Sequence, residues 1–359
     1  MKRIPELDAL RGLAALYVIL FHTAFSPQPN LGLPGVALLP VLFGGTGILL
    51  FFVISGFSLS MTMPRHSASG RLLWSYSISR IFRIAPLFYF ILALSVGRDY
   101  FLSGVRDPLG LIGINALFLF NLFPSLEAGI VWASWTIGIE MLYYVLFPII
   151  YSLSSRNKVV LLFGSAALCL ALGPDGPWPH LSWFSAFGFL PVFLTGELAF
   201  TAYSRLQSHA DSREWGMAAI LLSGAILLST MLIPEAEKSL QLRYLIGLGY
   251  ALLLAGVILC PGRVLRTKIF GFYGKISYST YLSHAPVVYS LSPVYPKIFS
   301  VVPFDIAYFL CLILTIAIVT PISWVLYRYV ELPGIRFGSR LIRPRLAIPS
   351  ALSSQPLQQ

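Results

Sequence analysis

Apolar runs about twenty residues long recur along nearly the whole chain, from the first few residues to position 328. Such a run does not suit a strand of a membrane barrel, which crosses in about ten residues of alternating polarity. It matches the length at which a helix crosses the hydrocarbon core of a bilayer. Spans are expected at 9–25, 38–61, 78–97, 134–153, 158–173, 183–203, 215–233, 242–261, 273–292 and 304–328. The composition agrees: 57% of residues are hydrophobic and 11% charged, against about a quarter charged in soluble domains. The chain therefore reads as an all-α polytopic membrane protein of about ten transmembrane helices. It is expected to form one integral-membrane domain over 1–345, followed by a disordered Pro-, Ser- and Gln-rich tail at 346–359. The start, Met1-Lys2-Arg3 before an apolar run, imitates a secretory signal. Asp8 and Arg11 interrupt the run and no small-residue cleavage site follows, so a retained first helix is expected.

Segment 108–124 is apolar but short and rich in Gly, Asn and Pro. It is expected to be re-entrant or interfacial rather than spanning. Loop charge supports that choice. With the N-terminus in the cytoplasm, the cytoplasmic loops hold Arg65, Arg71, Arg80, Arg83, Arg156, Lys158, Arg205, Arg213, Arg263, Arg266, Lys268 and Lys275. The tail adds Arg328, Arg336, Arg340, Arg343 and Arg345. The outer loops pair their few cations with acids, as in Arg98 and Arg106 beside Asp99 and Asp107, or Lys238 beside Glu235 and Glu237. This is the positive-inside pattern with both termini cytoplasmic, and counting 108–124 as a span would invert it. The net charge of +11 follows from that pattern and does not call for a nucleic-acid partner. Cys169, Cys260 and Cys311 lie in or beside apolar runs without metal spacing and read as small packing residues.

Ionisable groups within the spans carry the functional signal, because they are costly in a bilayer. Arg11 and His22 lie in the first span, about 20° from a common face and roughly 16 Å apart along the axis. Arg80 and Arg83 share a face at the opening of the third span. Their planar forks suit phosphate oxygens, although arginines there also serve as anchors that snorkel to lipid phosphates. His22, Glu140 and His284 fall at similar depth in the outer halves of three spans. A histidine beside a carboxylate can act as a general base on a hydroxyl; each residue alone could instead be a satisfied packing group. Glu331 follows the last span, where it could be a surface carboxylate beside Arg328. Glu197 reads as a packing acid, Ser55-Gly56 as a close helix contact, and His66, His180 and His209 as loop residues. No zinc motif, P-loop or nucleophile elbow is present, and no metal is expected.

These residues sit in blocks that resemble membrane acyltransferase family 3, bacterial O-acyltransferases that modify surface polysaccharides and other acceptors. Leu7-Asp8-Ala9-Leu10-Arg11-Gly12-Leu13-Ala14-Ala15, continued to His22, looks like the family's R-x10-H signature. Arg80 and Arg83 match its R-x-x-R motif, and FFVISGF, SWTIGIE, ISYSTYLSHAPV and YVELPG look like its later blocks, in order. The resemblance implies acyl transfer from cytoplasmic acetyl-CoA or another acyl-CoA to a hydroxyl on a polysaccharide or lipid-linked sugar, in a bacterial inner membrane. It implies that His22 is essential and that Arg11, Arg80 and Arg83 serve the CoA end. In the combined reading His22, Glu140 and His284 are catalytic, with Asp8 and Glu331 supporting. His22, assisted by Glu140, either deprotonates the acceptor or takes the acyl group itself. The rival readings are a transporter or flippase for a lipid-linked sugar and a non-catalytic membrane scaffold.

Overall fold

In the computed structural model the apolar runs wind into helices, since a helix satisfies its own backbone groups within one segment. The structure describes residues 4–27, 31, 38–123, 125–174, 176–177, 181–182, 185–233 and 239–342. The tail at 346–359, together with Arg343, Arg345, Asp175, His180, Glu235, Glu237 and Lys238, lies outside the described residues.

The helices are α1 (Pro5–Phe25), α2 (Leu38–Phe43), α3 (Gly47–Ala68), α4 (Leu72–Ser103), α5 (Leu109–Ala116), α6 (Trp135–Ser152) and α7 (Ser155–Leu172). They continue as α8 (Leu190–Leu206), α9 (Ser212–Met231), α10 (Leu240–Leu259), α11 (Lys268–Leu291), α12 (Tyr295–Phe299), α13 (Phe304–Leu326) and α14 (Leu332–Ile342). No strand occurs among the described residues. Among them, 9 helical stretches are long and apolar enough to cross a membrane. The span expected at 273–292 is present as α11, with 24 residues, but it is not among those nine. Its polar load of Lys268, Lys275, Ser277, Ser279, Thr280, Ser283 and His284 lowers its hydropathy, and residues 276–285 are buried inside the protein. The segment 108–124 gives the 8-residue α5 and a short 3-10 turn at Phe120–Leu122; at about 1.5 Å per residue neither can cross.

Glycines set the closest helix contacts. Gly56 of α3 lies against the backbone of Phe193 in α8, and Gly196 of α8 lies against Val53, so a Cβ at either position would strike backbone. This is the small-residue packing that brings membrane helices together. Lys158 of α7 reaches Glu197 of α8 at 2.5 Å, and both are buried. Glu197 thus keeps a packing role. Helices α7 and α9 instead expose Val160, Phe163, Leu168, Leu221, Leu222 and Leu228, as expected of helices facing lipid tails.

Candidate active site

Helix α1 runs alongside α11 in the same direction. Gly12 would place a Cβ 2.8 Å from the Gly274 nitrogen, and Gly274 abuts the Asp8 carbonyl. That contact fixes the register of the two helices. Ten residues further along each one, about 15 Å on, stand His22 and His284.

Their imidazoles meet. His284 Nε2 lies 3.3 Å from His22 Nδ1, with ring centroids 4.9 Å apart. His22 Nδ1 is also 3.0 Å from the Val18 carbonyl, and His284 Nδ1 contacts the Tyr281 carbonyl. A carbonyl only accepts, so each Nδ1 carries the hydrogen when the rings are neutral. His284 Nε2 then presents a lone pair to His22 Nδ1–H, and the lone pair of His22 Nε2 is left available. His284 is fully buried whereas His22 is partly exposed, so His22 is the member of the pair that a substrate can reach.

At the other end of α1, Arg11 is 3.4 Å from Asp8 and donates to Ser58 Oγ of α3 at 2.6 Å. Arg80 of α4 donates to Thr62 at 3.3 Å, and its guanidinium lies 5.9 Å from the ring centroids of both Tyr76 and Tyr144. Its Nε is buried without a hydrogen-bond partner among the described residues. Glu140 of α6 accepts on Oε1 from Ser55 at 2.6 Å and from Tyr144 at 2.5 Å. Arg11, Arg80, Arg83, Glu140 and Tyr144 line one cavity, partly open to the outside, whose wall includes Tyr281. The wall carries three guanidiniums and one carboxylate, with Asp8 paired to Arg11 and the buried Glu331 close to Arg83; guanidinium donors of this kind suit the oxygens of an anion. Glu331 is not at the surface: it is 2% exposed, sits in a π-helical turn at Tyr327–Glu331 and accepts from Ser279 at 2.6 Å.

The family described as an acyltransferase domain matches residues 4–328. The chain belongs to this acyltransferase family. A protein named "Putative acetyltransferase ORF330", from Acidianus two-tailed virus, is 26% identical over 302 residues, covering 78% of this chain and 82% of that protein. No solved structure matches the chain.

In this acyltransferase the residues singled out from sequence separate into two groups. Arg11, Arg80, Arg83 and Glu140 share the cavity, with Asp8 paired to Arg11. His22 and His284 pair with each other. Glu140 bonds Ser55 and Tyr144, so the neighbour of His22 is an imidazole rather than that carboxylate. Tyr281 joins the groups. Its ring borders the cavity and lies 5.4 Å from the His284 ring, while its hydroxyl bonds Thr136 at 2.8 Å and the Ala133 carbonyl at 3.0 Å. Tyr281, Tyr144, Ser58 and Thr62 escaped sequence reasoning, and Ser55, expected only to permit a close helix contact, also donates to Glu140. The available signal was spacing: Tyr144 lies one turn after Glu140, and Tyr281 one turn before His284. His66, expected in a loop, ends α3 and contacts Ser75 of α4 at 2.6 Å.

Proposed function

We propose that this acyltransferase moves an acyl group, acetyl in the first instance, from cytoplasmic acyl-CoA to a hydroxyl of a cell-surface carbohydrate or lipid-linked sugar. The observation that carries the proposal is the cavity itself. It is lined by three arginines and is walled further along by Tyr281, whose ring adjoins the histidine pair. CoA is strongly anionic at its phosphates and uncharged along its pantetheine arm. Its phosphates match Arg11, Arg80 and Arg83, and its arm matches the apolar lining of Phe51, Ile137 and Tyr281. The positive-inside charge pattern supports a cytoplasmic arginine end, on the side where acyl-CoA is found. The name of the viral relative agrees with acetyl as the group transferred.

In this reading His22 Nε2 takes the proton of the acceptor hydroxyl as its oxygen attacks the thioester carbonyl. The C–S bond breaks and the thiolate of CoA leaves. It recovers that proton from His22 Nε2, so the products are ester and free thiol. His22 is cationic only between the two transfers. During that interval its Nδ1–H faces the Val18 carbonyl and the lone pair of His284, and both favour the charged form. His284 therefore does the holding and stabilising that a carboxylate does in hydrolase triads. In this reading transfer is direct, and acetyl-CoA without acceptor is expected to leave no label on the protein; a labelled His22 would instead make its Nε2 the nucleophile.

Binding of acetyl-CoA to the purified protein in lipid nanodiscs tests the donor half. The Arg80→Ala/Arg83→Ala variant is expected to bind at least tenfold more weakly, as loss of charge-assisted hydrogen bonds predicts. Wild-type affinity in that variant would remove the cavity from the mechanism.

A further inference from the structure

Backbone strain in the described chain is concentrated at one place. Its non-glycine residues with positive φ are Phe118 at 58°, Ser125 at 71° and Ala133 at 65°, all in the connection between α5 and α6. Such conformations are uncommon away from glycine. They persist where surrounding contacts over-determine them, which is frequently at functional sites. Three hydrogen bonds hold this connection. The Ile130 amide donates to Asn115 Oδ1 at 2.9 Å, the Ala133 carbonyl accepts from Tyr281 at 3.0 Å, and the Ser134 amide donates to the Val131 carbonyl at 3.0 Å.

Within residues 131–134 this backbone displays a single side chain. Val131, Ala133 and Ser134 are 1%, 5% and 0% exposed, whereas Trp132 between them is 40% exposed. Its ring lies edge-to-face with His22, with centroids 5.6 Å apart. Trp132 does not border the arginine cavity. Successive ring contacts run from Tyr281 to His284, to His22 and then to Trp132. The indole thus adjoins the imidazole of His22 and lies outside the lining of the arginine cavity.

We propose that Trp132 is the platform on which the acceptor stacks a sugar ring, presenting one hydroxyl to His22 Nε2. This rests on the carbohydrate-acceptor reading above and adds the residue that selects it. A pyranose has a face of axial C–H bonds that covers an indole, and its hydroxyls project from the rim. The corresponding open-chain alditol keeps those hydroxyls, adds the two freed from the ring and the glycoside, and has no such face. The large, rigid ring of tryptophan supplies contact area at little entropic cost. The strained connection holds it in place before the acceptor arrives, which is the preorganisation that a binding site needs.

The test measures acetyl transfer from acetyl-CoA to methyl pyranosides of glucose, galactose and mannose, each against its alditol: glucitol, galactitol or mannitol. The quantity read is the ratio of kcat/KM for ring over open chain. The wild type is expected to favour the ring. Trp132→Leu, which keeps an apolar bulk without an aromatic face, is expected to lower that ratio by about tenfold, the scale of one aromatic contact. Trp132→Tyr is expected to retain most of it. Trp132→Met provides a second ring deletion should the leucine variant fail to fold. A wild type without ring preference, or a preference that survives in Trp132→Leu and Trp132→Met, overturns the platform and leaves the acyltransferase reading standing. Acetyl-CoA consumption with a non-carbohydrate hydroxyl alone would overturn the carbohydrate reading, and the platform with it.

Discussion

Gly12 and Gly274 touch so closely that a Cβ on Gly12 would lie 2.8 Å from the Gly274 backbone nitrogen, and this contact sets the register that brings His22 to His284. A larger residue at either position pushes α1 and α11 apart near the arginine end and disturbs the histidine pair about 15 Å away. Gly12→Val is expected to lower kcat by at least tenfold in protein that still elutes as a folded species. Unchanged kcat would show that the pairing does not depend on this contact.

The histidine pair gives a graded prediction. His284→Ala removes the lone pair that receives His22 Nδ1–H, and about a hundredfold loss of kcat is expected, the scale of general-base catalysis. His284→Gln offers a carbonyl oxygen to the same hydrogen and should recover part of the loss. Wild-type activity rises with pH as the pair loses its proton, since only a neutral His22 can act as base. Rates measured across pH for the three proteins decide this; equal loss in Ala and Gln would mean that His284 only fills space.

Glu140 separates two accounts of its role. Its Oε1 holds Ser55 and Tyr144 at the cavity wall, and the amide oxygen of Glu140→Gln can accept from both. The variant is therefore expected to change KM for acetyl-CoA and to keep the acidic limb of the pH profile of kcat. A hundredfold fall in kcat with a displaced limb would place Glu140 in proton transfer after all.

Stability hinges on Lys158 and Glu197, an ion pair whose side chains are 9% and 1% exposed. Lys158→Ala leaves a buried carboxylate without its cation, at a cost of about 3–5 kcal/mol. Lys158→Met with Glu197→Leu removes both charges and is expected to recover most of that loss. Thermal unfolding in detergent reads both variants. A single substitution as stable as wild type would show that water reaches Glu197.

Much of the architecture is legible in the sequence because bilayer thickness sets helix length, and length shows in hydropathy. Arg11 with His22, and Arg80 with Arg83, are legible for a similar reason, since charges inside apolar runs stand out. Relative depth on different helices is harder to count than position along one. His22, Glu140 and His284 are expected at similar depth, yet Glu140 lies nearer the arginines: it bonds Ser55, one turn from the Ser58 that Arg11 holds, while Thr136, one turn before it, bonds Tyr281 below the histidine pair. Glu331 reads as a surface residue after the last span, but the π-helical turn carries it inward to Ser279. Tyr281 and Trp132 resemble ordinary aromatic residues of a membrane protein until their ring contacts are seen.

Acceptor-dependent release of free thiol from acetyl-CoA tests the central claim most directly, with purified protein, a cell-envelope extract as acceptor pool, and the His22→Ala variant alongside. The account predicts thiol release that requires the extract and is abolished in His22→Ala, with the label of the acetyl group recovered on carbohydrate. Thiol release that persists in His22→Ala would contradict the role of the histidine pair. Absence of release from folded wild-type protein with every acyl-CoA tried would contradict the CoA-donor account and favour a protein that moves a lipid-linked sugar without consuming a thioester.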